Sequence, residues 1–79
     1  MRNYSRPVDP SQLKVGQRIR ITCPRLKLIF RTSPDFVDVE VVEVFDSGPP
    51  IGMQIDVRNA SQWWRWIPSI DGGSCHEED

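Results

Sequence analysis

Apolar and polar residues alternate along three stretches of the chain, and each predicts a half-buried strand. In QRIRITC (17–23), Ile19, Ile21 and Cys23 fall on one side, with Arg18, Arg20 and Thr22 on the other. In FVDVEVVEVF (36–45), Val37, Val39 and Val41 share a face opposite Asp38 and Glu40. After Val41 the phase slips, and Val42 and Val44 become the apolar set. Such a slip is either a β-bulge or a strand end buried on both faces. In IGMQIDVR (51–58), Ile51, Met53, Ile55 and Val57 alternate with Gly52, Gln54, Asp56 and Arg58.

The segments between these strands carry turn chemistry. DPSQL (9–13) predicts a turn or a single helical turn, with Pro10 suited to an early helical position. Pro24 and Pro34 bracket RLKLIFRTS, a weaker strand or structured excursion that the prolines confine to an edge or a loop. DSGPP (46–50) is a turn. Trp63, Trp66, Ile67 and Ile70 have helical spacing, but Pro68 pushes residue 67 away from helical angles and leaves too short a segment. A short 3-10 turn at PSI (68–70) is what remains. The expectation is an all-β domain over residues 9–71, a small barrel of about five antiparallel strands. Residues 1–8 are expected to be flexible, and 72–79 to form a disordered acidic tail.

All three tryptophans lie in WWRW (63–66), and the strand register decides their roles. A hairpin closed by Asn59–Gln62 sets Arg58 opposite Trp63, Val57 opposite Trp64, Asp56 opposite Arg65 and Ile55 opposite Trp66. Directly opposed residues share a face. Trp64 and Trp66 therefore point inward, whereas Trp63 and Arg65 point outward with Arg58 and Asp56. That register pairs opposite charges at Asp56 and Arg65 and sets Arg58 beside the Trp63 ring, within reach of a cation–π contact. A slip of one residue would reverse every assignment.

The order of these pieces resembles an SH3-like small barrel of the KOW and Tudor layout. The resemblance is carried by LKVGQRIRI (13–21), VVEVFD (41–46), MQIDVR (53–58) and WRWIPSI (64–70). It implies an SH3-like barrel across most of residues 13–70, and fold alone does not give a function. Two departures stand out. CPRLKLIFRTSPD lacks the glycine of a KOW-type first hairpin, and a complete Tudor-type aromatic cage does not assemble.

Charge changes the picture more than composition does. The chain of 79 residues has a net charge of -1, but residues 1–34 hold eight of the ten basic residues against Asp9 alone. Two readings follow. Arg18, Arg20, Arg25, Lys27 and Arg31 could form a basic stripe for nucleic-acid phosphate, with Trp63, Tyr4 or Phe36 stacking on bases. Alternatively, Arg18 and Arg20 face Asp38 and Glu40 on a neighbouring strand, and the asymmetry is sheet chemistry. The pI of about 5.7 favours the second, because nucleic-acid modules usually present a strongly basic face.

Little else points to chemistry. His76, the lone histidine, follows Cys75 in the expected tail, where neither side chain would be held for attack. No catalytic residue, cofactor or metal-ligand set is expected. No stretch is apolar or long enough to cross a bilayer, and no apolar run follows Arg2 and Arg6 as in an export signal, so a cytoplasmic protein is expected. The function expected is a non-catalytic module that binds a protein or peptide through Trp63, Arg65 and Arg58, with nucleic-acid binding as the alternative. The sequence does not set the oligomeric state.

Overall fold

The computed structural model describes residues 3–25 and 36–78. Its elements are β1 (Arg6–Val8), a 3-10 turn (Pro10–Gln12), β2 (Arg18–Thr22), β3 (Phe36–Asp46), β4 (Met53–Asn59), β5 (Gln62–Trp66), α1 (Pro68–Asp71) and β6 (Ser74–Glu77). The strands form a six-stranded sheet in the order β1-β6-β2-β3-β4-β5, with every neighbouring pair antiparallel.

The alternation in the sequence is the alternation of the sheet. Ile19, Ile21, Val37, Val39, Val41, Ile55, Val57 and Trp66 form one buried cluster with Leu13, Cys23 and Cys75. A single sheet buries one face only by curling over it, and the curl is visible in β3. Val41 pairs with Val57 and Glu43 with Asp56, so Val42 is the extra residue of a bulge. The β4–β5 register is the one the charges required: Arg58 with Trp63, Val57 with Trp64, Asp56 with Arg65, Ile55 with Trp66. The loop that closes it holds Ala60 at φ 53, a left-handed conformation at the first of two turn positions.

Several expectations are corrected. The all-β class holds, but the hydrogen-bonded ladder does not close: β1 and β5 are its edges. The helical turn near the C-terminus is α rather than 3-10, since Asp71 N–H donates to Ile67 O at 2.8 Å and Gly72 N–H to Pro68 O at 3.0 Å. Ile51 lies in the turn before β4 and is 38% exposed instead of facing inward. The excursion RLKLIFRTS falls almost wholly outside the described residues.

The largest correction concerns the ends. Residues 74–77, expected in a disordered tail, form β6 between β1 and β2, and Arg6–Val8, expected to be flexible, pairs along it. The acidic run is held by specific partners. Glu77 accepts from Gln17 Nε2 at 2.8 Å and pairs with Arg6 at 3.0 Å. Cys75 is buried in the core. Polarity alone reads these residues as tail because only one side chain in four is buried and apolar.

The connection from β5 to β6 is tied at several points. The fully buried Trp66 donates from Nε1 to Gly72 O at 3.0 Å. Asp71 accepts Ile67 N–H at 3.0 Å and pairs with Arg25 at 2.8 Å. Gly73, at φ 93, passes so close to β2 that a Cβ there would collide with Thr22 O and lie 2.8 Å from Cys23 Cβ.

Gly73→Ala therefore combines overpacking with left-handed strain, and urea unfolding should show a loss of about 2–4 kcal/mol. Gly48→Ala, at φ 73 but in open space, should cost only about 1 kcal/mol. Equal losses at the two sites would contradict the close packing of the C-terminal segment on β2.

Candidate functional site

The outer face of the sheet carries an ordered set of charged and aromatic side chains. The registers align Arg18, Glu40, Arg58 and Trp63 in one row across β2 to β5, and Glu43, Asp56 and Arg65 in another. Signs alternate along the first row, as opposed cross-strand pairs favour. Arg58 Nη2 lies 2.5 Å from Glu40 Oε1. Arg20 grips Asp38 with two nitrogens, at 2.7 and 3.1 Å, and Arg65 grips Asp56 at 2.8 and 3.3 Å. Each is the two-point arginine–carboxylate geometry, and it raises the pKa of Arg20 and Arg65 above the ordinary arginine value.

Each of these arginines also meets a ring. The Arg20 guanidinium lies 3.9 Å from the Phe36 ring centroid and 4.8 Å from that of Tyr4. Arg65 lies 4.8 Å from Phe45, and Arg58 lies 5.8 Å from Trp63. Such solvent-exposed contacts each add little to stability. Their main effect is to hold the guanidinium groups in place.

The residues singled out from the sequence separate into three groups. Trp63, Arg58 and Arg65 do come together on the outer face of the β4–β5 hairpin, where Trp63 is 59% exposed. Arg18 and Arg20 share that face on β2, but Arg20 is engaged by Asp38 and two rings. Arg25 turns instead toward Asp71. Lys27 and Arg31 lie outside the described residues. Among the described residues Arg6, Arg20, Arg25, Arg58 and Arg65 each pair with a carboxylate, while Arg18 stands opposite Glu40 in the strand register.

Trp63 differs from its two neighbours. Trp66 is completely buried and Trp64 half-buried, while a cleft of about 390 Å³ lies against Asp56, Trp63, Trp64 and Arg65. What composition could not reveal is that β5 is an edge. On its outer side no strand pairs with it among the described residues. Of the two edges, RPV (6–8) is blunted by a proline, whereas QWWRW (62–66) contains none.

Cys75 and His76 occupy successive strand positions and so face opposite sides of the sheet. Cys75 Sγ donates to Val8 O at 3.1 Å, and His76 lies across from Arg20 and Pro7. Burial, aided by Asp9 and Glu77, pushes the Cys75 thiol up to about 11. The described residues contain no cluster of metal-ligating side chains and no helix long and apolar enough to cross a membrane.

No protein-family model matches the chain, and no curated protein or solved structure matches it.

The raised Cys75 thiol makes stability depend on alkaline pH. Its folded pKa lies above the ordinary thiol value of 9.0, so the folded state keeps a proton that the unfolded chain releases. The contribution is complete below pH ~9 and is lost as pH rises toward ~11. Denaturant midpoints should fall across that window in the wild type and fall less in Cys75→Ala. Identical slopes for the two proteins would contradict the assignment.

Proposed function

We propose that the chain is a non-catalytic interaction module of SH3-like build that docks a protein or peptide partner on the β4–β5 hairpin. The observation that carries this reading is Trp63, exposed to 59% at the edge of the sheet. Tryptophan beside arginine is the composition enriched at binding hot spots. Arg58 and Arg65 flank the ring, and their carboxylate partners Glu40 and Asp56 orient them before any partner arrives. Pre-organised side chains lose less conformational entropy on binding.

The SH3-like reading rests on the order of elements read from the sequence, the bulge that bends β3, and the helical turn that precedes the last strand. A module of this size fits the role of an accessory piece in a larger assembly.

A displayed library of extended peptides, selected on the wild-type protein, tests the reading. Selected peptides should lose affinity about tenfold or more on Trp63→Ala, with the unfolding midpoint unchanged. Peptides indifferent to Trp63 would contradict it. A short oligouridylate RNA, titrated at low and high salt, covers the alternative. Tight binding that collapses with salt would mark a phosphate-reading face and overturn the peptide reading.

A further inference from the structure

We propose that β5 pairs with β5 of a second copy of this chain, antiparallel and centred on Trp64, joining two sheets edge to edge. This rests on the reading of the β4–β5 hairpin as a docking surface and names its occupant.

The hydrogen-bond phase of β5 follows from a fixed point two strands away, on β3. Val41 N–H donates to Gln17 O at 2.9 Å and Val41 O accepts from Gly16 N–H at 2.8 Å. Both backbone groups of Val41 therefore point toward the β2 side, and its pair with Val57 is not hydrogen-bonded. Antiparallel ladders alternate, so Val57 directs its groups to Trp64, its β5 partner. The two-residue hairpin loop gives the same phase, since its closing pair Asn59–Gln62 is a bonded one. Consequently Trp63 and Arg65 turn their N–H and C=O groups away from β4, along the open edge.

Those two residues flank Trp64 symmetrically, and that makes the edge complementary to itself. A two-fold axis at Trp64 pairs Trp63 with Arg65 of the second copy, and Arg65 with its Trp63. Four backbone hydrogen bonds form, and each tryptophan ring meets a guanidinium across the junction on the outer face. The two Trp64 side chains meet on the inner face. Other centres do worse. An axis at Arg65 sets like charges directly opposite, and an axis at Trp63 sets Arg65 against the turn residue Ser61.

The two edges of the sheet also differ in protection. β1 is three residues long, and Pro7 lacks an N–H. β5 has neither proline nor lysine and concentrates the tryptophans. Natural sheets blunt the edges that must stay unpaired, and here only β1 is blunted. An isologous pair buries the unprotected edge in both copies at once.

Sedimentation of the wild-type chain across micromolar to millimolar concentrations should show a monomer–dimer equilibrium. Trp63→Arg places like charges across the junction, and Trp63→Glu places opposite ones. The arginine variant should dissociate about tenfold more readily than the glutamate variant, although both lose the ring. Trp64→Cys should cross-link between copies under mild oxidation, because residues opposed on the axis lie about 4.5 Å apart between Cα atoms. Gln62→Cys should not cross-link. A wild type that stays monomeric, or cross-linking at residue 62 but not 64, would overturn the proposal. If the wild type is monomeric while selected peptides still depend on Trp63, self-pairing falls and the docking surface stands.

Discussion

The buried indole of Trp66 and its hydrogen bond to Gly72 O hold the fold together at its least obvious point. β5 ends at one edge of the sheet, whereas β6 must be delivered between β1 and β2 near the other. The chain covers that distance in a single turn of helix. Asp71 fixes the turn from inside by accepting Ile67 N–H and from outside by its pair with Arg25. Gly73 then lets the backbone touch β2 where no side chain would fit. With β6 in place, Cys75 completes the core and Glu77 ties down Gln17 and Arg6. In a domain this small, where little apolar surface is available, closing the core with the last strand is a constraint on everything else.

The same constraint explains why the outer face is free to carry function. The inner face accounts for Trp64, Trp66, Ile19, Ile21, Ile55 and the valines of β3 and β4 other than the bulge residue Val42. Trp63 is left over, on a strand whose outward backbone groups have no partner strand among the described residues. On the same outer face stand Arg20, Arg58 and Arg65. Each sits against a carboxylate and a ring, and a charge distribution that looks polarised along the chain becomes balanced in space. A basic N-terminal half and an acidic remainder are what antiparallel pairing of β2 with β3 requires when their outer faces are to attract.

Much of this was legible in the sequence, and the reasons are specific. Period-two alternation gave β2, β3 and β4, and the phase slip after Val41 marked the bulge. Charge matching between Asp56 and Arg65 selected the hairpin register and so decided which tryptophan is exposed. The ends were not legible. Ser74–Glu77 offers one buried side chain, Cys75, and its strand character comes from the neighbours it inserts between rather than from its own pattern. Arg6–Val8 is a strand only because β6 exists. The open edge of β5 was hidden for a related reason: strand order is set by long-range pairing, and local pattern cannot report it.

Amide hydrogen exchange, read residue by residue at low protein concentration, tests the account most directly. Trp64 and Trp66, bonded to β4, should be protected, while Trp63 and Arg65 between them exchange quickly. Cys75 in β6 should be protected to the level of the core strands β2 and β3. Free exchange throughout residues 74–77 would contradict the closure of the core by β6, and equal protection of Trp63 and its two tryptophan neighbours in the monomer would contradict the open edge at β5.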